Sequence, residues 1–261
     1  MKISEIQTEE ARVRDALIAQ RMDHFDAWWQ LAIAWLEPPN LERGGWSGVG
    51  RWQLPCADHQ LVELYVKRQQ NHTRFSWRYP WRGLPTFMVE YDMLKYLRAQ
   101  GVRVPEVVYA GVRDVPAGRQ AILATQALQG YEELTPYCTA ANMTANPTLL
   151  IAVAQALKTL HAAGIQHRAL YPKHLFARAL PEHETSAAYE IAFIDLEKAK
   201  HMWLPAWQRL RDLRQFMSRL QDWPDSLLYQ LYQAYASEHG QCYQRCGWWW
   251  LRWGLKRLNK R

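Results

Sequence analysis

The chain has 261 residues, of which 49% are hydrophobic and 22% are charged. This length is enough for one large domain or two lobes with a buried core, and the composition excludes a disordered protein. The 32 basic residues against 25 acidic ones give a net charge of +7, which favours an anionic partner without distinguishing nucleotide, acidic lipid, phosphorylated sugar or nucleic acid.

The tryptophans and cysteines of the chain do not by themselves distinguish between functions. The 14 tryptophans fit a large aromatic core and a contact with membrane headgroups equally well. The four cysteines have neither a metal-binding nor a disulfide spacing, so we interpret them as reduced thiols of a cytosolic protein. No signal peptide is visible, and the early apolar run Leu31 to Leu36 is far below the roughly 20 residues that cross a bilayer.

Periodicity and breaker residues predict the secondary structure. The expected elements are a helical region at 4–36 that stops at Pro38-Pro39-Asn40, a glycine-rich turn at 44–50, a strand at 61–66, a helix between Pro85 and Gly101, strands at 102–111 and 121–128, a helix from Asn146 to Gly164, a strand pair at 175–177 and 191–194, and helices from 203 onward that break at Pro205 and Pro224.

Strands that come first and helices that follow predict an α+β chain with a β-rich N-lobe and a helical C-lobe. We expect an N-terminal helical extension over residues 1–40, the N-lobe over 41–128 and the C-lobe over 129–261. The C-lobe is expected to end in a basic helix that is rich in tryptophan.

One segment carries most of the functional information. His167-Arg168-Ala169-Leu170-Tyr171-Pro172-Lys173-His174, followed by a strand that ends in Ile194-Asp195, has the layout of a protein-kinase-like catalytic centre. The kinase signature has a catalytic Asp directly after His-Arg, where this chain has Ala169. A carboxylate at the end of an apolar strand is costly to bury without a partner, and Mg²⁺ would be the partner of Asp195.

Phosphoryl transfer also needs groups that hold the phosphates. Gly48 and Gly50, ahead of a strand, would let backbone N–H groups approach phosphate, although glycine-rich hairpins are common. Lys67 follows the predicted strand at 61–66 and would hold phosphate; the alternative is a solvated strand-end lysine. Glu90 lies early in the next helix, where it is expected to pair with Lys67.

With these pieces in order, the chain resembles the bacterial lipopolysaccharide core kinases, the Kdo and heptose kinase family that includes InaA-like proteins, over about residues 43–216. The matching pieces are Tyr65-Val66-Lys67-Arg68, Glu90 ahead of Gly101, Leu160-His161-Ala162-Ala163-Gly164, His167-Arg168, His174-Leu175-Phe176, Ile194-Asp195-Leu196 and Arg211-Asp212-Leu213. His174 in place of Asn and Leu196 in place of Phe distinguish this pattern from ordinary protein kinases.

The resemblance implies a protein-kinase-like fold, ATP and Mg²⁺ as cofactors, and a saccharide of the lipopolysaccharide core or lipid A as acceptor, on the cytoplasmic face of the inner membrane. It implies that the catalytic positions are Asp195, Arg168 and His174, that Asp195 binds the metal, and that Gly48, Gly50, Lys67 and Glu90 bind the nucleotide. Imidazole is a poor ligand of Mg²⁺, so contact of His174 with phosphate or substrate is the alternative. The residue that would take the proton of the acceptor hydroxyl stays unassigned, since nothing in the sequence places Lys173 or Asp195 next to that hydroxyl.

Two functions therefore remain open. The first is an ATP-dependent phosphotransferase that acts on a sugar hydroxyl of the inner core, where a missing base costs typically about 10²–10⁴-fold in rate. The second is a pseudokinase that binds nucleotide or core oligosaccharide and regulates or scaffolds lipopolysaccharide assembly. Retention of Lys67, Glu90 and Asp195 favours nucleotide binding in both.

The basic tail from Cys246 combines clustered tryptophans with Lys and Arg. It predicts a helix that lies against the anionic inner-membrane surface, and the alternative is a helix packed on the C-lobe. We expect no nucleic-acid partner, since no recognised motif accompanies the positive charge.

Overall fold

A computed structural model describes residues 3–41, 44–57, 59–76, 79–181, 188–237 and 241–258. In chain order the elements are β1 (Ile3–Ile6), α1 (Ala11–Ala19), α2 (Phe25–Gln30), β2 (Ala34–Trp35), β3 (Trp46–Pro55), β4 (Leu61–Gln70), β5 (Thr73–Ser76), β6 (Tyr79–Pro85), α3 (Thr86–Ala99), β7 (Val107–Val115), β8 (Gly118–Gln126), β9 (Glu132–Glu133), α4 (Ala140–Ala145), α5 (Pro147–Ala162), β10 (Ile165–Gln166), β11 (Leu175–Ala179), β12 (Tyr189–Phe193), β13 (Lys200–His201), α6 (Pro205–Met217), α7 (Asp225–Ala236) and α8 (Gln241–Leu258).

The chain divides into two units. The first contains the residues up to Tyr96 together with Pro105–Ala127, and the second contains Leu97–Val104 together with the residues from Leu128 onward. The first is rich in strands and the second mainly helical, which confirms the predicted α+β class. The predicted boundaries at residues 40 and 128 stay predictions.

The first unit is built on a six-stranded antiparallel sheet with the order β1-β7-β8-β4-β3-β2. Along β4 the apolar residues Val62, Leu64 and Val66 are buried, as the alternation predicted. They pack in one cluster with residues of α1 and α2, among which Trp28 stacks on Tyr109 with ring centroids 4.9 Å apart. This core fixes the strand that carries Lys67.

The prediction of a helical region over 4–36 is wrong in part. The chain has the two short helices α1 and α2, but β1 pairs with β7 and β2 pairs with β3. The pairing partner of β1 lies far along the chain, Ile6 opposite Tyr109, so no local pattern reveals it. The hairpin of β5 and β6 was not predicted either.

In the second unit α5 packs against α7 and β12. It begins at Asn146, whose side-chain oxygen accepts the backbone N–H of Leu149 at 3.2 Å, and it ends before Gly164 in the left-handed conformation, as predicted. β11 and β12 form the predicted strand pair, and α6 and α7 begin at or directly after Pro205 and Pro224. Among the helices that the structure describes, none is long and apolar enough to span a bilayer.

Candidate functional site

An ion pair lies inside the first unit. Lys67 of β4 donates from Nζ to both carboxylate oxygens of Glu90 of α3, at 2.7 and 2.6 Å. The side chains are only 17% and 5% exposed, so the two charges satisfy each other away from most water. The predicted pair is therefore present, and its role in nucleotide binding stays a prediction.

The start of α3 is held against β4 by Gln69, which the sequence did not single out. The buried side chain of Gln69 accepts hydrogen bonds at Oε1 from the hydroxyl of Thr86 at 2.9 Å and from the backbone N–H of Phe87 at 3.1 Å. Free N–H groups at a helix start need such an acceptor. Gln69 thereby fixes the helix that carries Glu90 to the strand that carries Lys67. Its only sequence signal was a polar residue two positions after Lys67.

Gly48 and Gly50 do not lie in a turn, and that prediction is wrong. Both are inside β3, because this segment pairs with β4 on one side and β2 on the other. A Cβ atom at Gly48 would lie 2.6 Å from Cζ3 of Trp35, and one at Gly50 would lie 2.8 Å from Cδ1 of Ile33. Close packing of residues 33–35 thus explains both glycines, and their contact with nucleotide stays a prediction.

Arg68, next to Lys67, has a structural role. Its buried guanidinium donates to the backbone carbonyls of Trp29 and, at 2.8 Å, of Leu31, and it lies 5.1 Å from the ring centroid of Trp35. These carbonyls lie at the C-terminal end of α2, where the helix dipole favours a positive charge. Burial lowers the pKa of Arg68, which has no carboxylate among these contacts.

In the second unit, the turn after β10 and the end of β12 hold the kinase-like residues. Arg168 and Asp195 both have the left-handed backbone conformation, with φ of 65° and 58°. This conformation costs a non-glycine residue roughly 1–3 kcal/mol, and it persists only where surrounding contacts impose it. The side chains of both residues are accessible to solvent.

Asp212 of α6 imposes the conformation of that turn. Its buried carboxylate accepts the backbone N–H groups of His167 at 2.6 Å and of Arg168 at 3.1 Å. Nε2 of His161 lies 3.4 Å from the same carboxylate, and its Nδ1 lies 2.8 Å from the hydroxyl of Tyr235. The sequence matched Asp212 to a family motif without a role; a carboxylate on the buried face of an amphipathic helix was the available signal.

Two histidines connect the turn to the end of β12. Nε2 of His167 bonds the backbone carbonyl of Ile194 at 3.1 Å, and complete burial lowers the pKa of His167. Nδ1 of His174 lies 2.7 Å from the backbone oxygen of Ala169, and its Nε2 lies 3.3 Å from Oδ2 of Asp195. The structure thus brings His174 and Asp195 together, and their roles in catalysis and metal binding stay predictions.

Two further residues of this turn, Ala169 and Lys173, do not supply a base in the part of the chain that the structure describes. Ala169 is 2% exposed and its methyl group cannot accept a proton, while Lys173 is exposed with nothing to place it at an acceptor. Within the ranges that the structure describes, no group of three His, Cys, Asp or Glu side chains could hold a metal ion. At the end of β12 the described residues offer a cation the carboxylate of Asp195 and the imidazole of His174.

Comparison with known proteins identifies the family of this chain. Residues 26–235 match the Lipopolysaccharide kinase (Kdo/WaaP) family, and the chain belongs to this family. It is 31% identical over 192 residues to Protein InaA of Escherichia coli (strain K12), across 70% of this chain and 82% of that protein. A solved structure described as WaaP in complex with acyl carrier protein has a TM-score of 0.67 and 20% identity, across 97% of this chain and 99% of that one.

The family and the fold that the sequence predicted are therefore confirmed. The likeness to WaaP shows a kinase-like fold. The family supports a kinase-type phosphotransferase of lipopolysaccharide biosynthesis.

Proposed function

We propose that this protein transfers the γ-phosphoryl group of ATP to a sugar hydroxyl of the lipopolysaccharide inner core. The observation that carries the proposal is the Lys67–Glu90 pair, in a chain of this kinase family. Phosphoryl transfer depends on positioning and on neutralising phosphate charge, and a lysine fixed by a buried carboxylate is suited to both. The oxygen of the acceptor hydroxyl bonds to the γ-phosphorus, the bond from that phosphorus to the bridging oxygen breaks so that ADP leaves, and the hydroxyl proton passes to water.

A divalent cation is implied by this chemistry, and Asp195 would hold it. Mg²⁺ is usually bound by one or two carboxylates together with substrate phosphates, so the carboxylate of Asp195 fits. When bound, such an ion neutralises charge on the transferring phosphoryl group. The second group at this position, the imidazole of His174, does not fit, since Mg²⁺ prefers oxygen.

A second function is favoured by Ala169. Active members of the family are expected to have Asp there, and this position is buried and has no base. A pseudokinase would bind ATP or the core oligosaccharide through the same residues and regulate or scaffold lipopolysaccharide assembly without transfer. The two functions differ only in turnover.

The test uses the purified full chain, γ-labelled ATP and deacylated inner-core saccharides that end in Kdo or heptose. We expect slow transfer of label to the saccharide, and a loss of at least roughly 10²-fold in Lys67→Met and Asp195→Asn. The control is Lys95→Met, whose ammonium lies on the surface of the same helix as Glu90, 3.3 Å from the hydroxyl of Tyr91. Nucleotide binding without transfer would establish the pseudokinase, and no nucleotide binding with any divalent cation would reject both functions.

We also propose that α8 contacts the anionic surface of the inner membrane. Leu251 is buried, and side chains at Gly247 and Gly254 would collide with Tyr232 of α7 and Arg214 of α6, so this face packs on the second unit. The alternative considered for the tail, a helix packed on the C-lobe, is thus present for this face of α8. Trp249 and Trp253, one turn apart, are 68% and 44% exposed.

The charges around this face suit a lipid surface. Arg245 and Arg252 are exposed beside the two tryptophans, and Arg252 also bonds Asp225 of α7 at 2.6 Å. Exposed aromatic rings beside basic residues are typical of helices that lie in the headgroup region, where each Arg contributes about 1 kcal/mol. α6 contacts α8, and further apolar residues are exposed in and just before its first turn, namely Trp203, Leu204 and Trp207.

Sedimentation with vesicles tests this surface. We expect binding to vesicles rich in phosphatidylglycerol, weak binding to neutral phosphatidylcholine, and a loss of about tenfold or more in the double variant Trp249→Ala, Trp253→Ala. Tyr137→Ala is the matched control, since Tyr137 is an exposed aromatic residue of a different element, the short helical turn Thr135–Tyr137. Equal sedimentation of the double variant and the wild type would reject the proposal.

A further inference from the structure

The imidazole of His174 has a defined hydrogen-bonding state. Its Nδ1 lies 2.7 Å from the backbone oxygen of Ala169, which can only accept. The proton of a neutral ring therefore sits on Nδ1, and Nε2 carries a lone pair. Metal-binding histidines in proteins have this arrangement, in which the other ring nitrogen donates to a backbone carbonyl or a carboxylate.

The lone pair of Nε2 faces another acceptor. Oδ2 of Asp195 lies 3.3 Å from Nε2, and an ionised carboxylate has no proton to donate. In the neutral ring Nε2 and the carboxylate are both acceptors and repel each other, and the contact becomes favourable when either a proton on Nε2 or a bound cation lies between them. Two ligands at about 2.1 Å from one ion are about 3.0 Å apart at a right angle and about 3.4 Å apart at the tetrahedral angle, so the observed separation suits a shared cation.

Neighbouring groups hold both ligands in place. The rings of His167 and His174 are stacked, with centroids 6.1 Å apart and planes 12° apart, and the ring of Tyr171 lies 5.5 Å from that of His174. His167 in turn bonds the carbonyl of Ile194, directly before Asp195. Since the ring and the carboxylate share these supports, their separation does not depend on the presence of an ion.

From this geometry we infer, on the premise of the proposed function, that His174 and Asp195 bind a first-row transition-metal dication in preference to Mg²⁺. Imidazole binds transition-metal dications well, whereas Mg²⁺ prefers oxygen ligands. Two protein ligands are too few for tight binding alone, and the described residues contain no third. The phosphate oxygens of the nucleotide complete the coordination, so cation binding is tight only with nucleotide present.

Pulsed electron paramagnetic resonance with Mn²⁺ as probe tests the inference directly. The full chain, with ¹⁵N-labelled histidine, is mixed with Mn²⁺ and a non-hydrolysable ATP analogue. We expect a ¹⁵N coupling to the bound ion in the wild type, its loss in His174→Asn, and its retention in the control His24→Asn, a histidine on the surface of the first unit. In competition binding, His174→Asn should reduce the preference for Mn²⁺ over Mg²⁺ by about tenfold or more.

The outcomes separate this inference from the proposed function. Mn²⁺ that binds with nucleotide but shows no histidine coupling in the wild type overturns the inference and leaves the kinase function standing. A coupling that persists in His174→Asn also overturns it, because the nitrogen then belongs to another residue. Absence of nucleotide binding with either cation rejects the proposed function and the inference together. The wild-type spectrum needs no variant, so misfolding of His174→Asn cannot obscure the result.

Discussion

The Lys67–Glu90 pair permits a quantitative test of the first unit. In Glu90→Gln the shape of the side chain stays, but the ammonium of Lys67 loses the carboxylate that it contacts at 2.7 and 2.6 Å. Breaking a buried pair from one side costs about 3–5 kcal/mol, because an uncompensated charge stays behind. Lys67 is 17% exposed, so water reaches it in part, and we expect a loss of about 2–4 kcal/mol in the free energy of unfolding.

Removal of the cation instead of the carboxylate should lower the free energy of unfolding at least as much. Lys67→Met leaves Glu90, which is only 5% exposed, without its cation, so we expect the upper part of that range. The double variant Lys67→Met, Glu90→Gln removes both charges together. Its cost should fall below the sum of the single costs by about 1–3 kcal/mol, which is the coupling expected for residues in direct contact.

Urea unfolding followed by far-ultraviolet circular dichroism measures these differences, and ATP binding is measured on the same samples. Lys95→Met is the control for the loss of a lysine; Arg68→Ala is unsuitable, because Arg68 holds the carbonyls of Trp29 and Leu31. If Glu90→Gln lies within about 0.5 kcal/mol of the wild type and the double variant is additive, the pair is not formed in solution. The assignment of Lys67 to the phosphates then loses its structural basis.

Three further predictions concern the second unit. Asp212→Asn leaves at least one backbone N–H of the turn without its charged acceptor, so the free energy of unfolding should fall by about 1–3 kcal/mol in urea, and an unchanged midpoint would contradict this. Burial raises the pKa of Cys138 to about 12, whereas Cys246 is exposed, so mass spectrometry should find Cys246 alkylated by iodoacetamide at about pH 8 and Cys138 only after unfolding. Ala169→Asp should raise label transfer by about 10²-fold and Ala169→Asn should not; equal rates would show that a carboxylate there does not limit transfer.

The parts of the fold that local signals control were predictable. Alternation marked β4, Pro85 and Gly101 delimited α3, and Asn146 with Pro147 began α5. Lys67 and Glu90 were predicted from the kinase-like order of the strand and the helix, and the pair forms although the hairpin of β5 and β6 lies between those two elements. A carboxylate directly after an apolar strand likewise placed Asp195.

The remaining features depend on contacts between distant segments. β1 reaches its place by pairing with β7, and nothing near residue 3 encodes that pairing. A glycine such as Gly48 is found both in turns and in closely packed strands, so the sequence does not distinguish the two. The ring of Trp35, which packs against Gly48, shows that this glycine belongs to a strand. The structural roles of Gln69 and Asp212 were not predicted. In a sequence, a buried polar side chain that accepts backbone N–H groups cannot be distinguished from a solvated one.

The side chain at position 169, where the protein-kinase signature has a catalytic Asp, takes no part in the bonds that hold the rest of the site. The turn is held by main-chain bonds, since Asp212 accepts the N–H groups of the two residues before Ala169, and the carbonyl of Ala169 orients His174. None of these bonds uses the side chain at position 169. An Asp in place of Ala169 would add a proton acceptor without using any of the bonds that position Asp195 and His174. The choice between enzyme and pseudokinase is therefore a question about the proton of the acceptor hydroxyl, and measured transfer, rather than the fold, has to answer it.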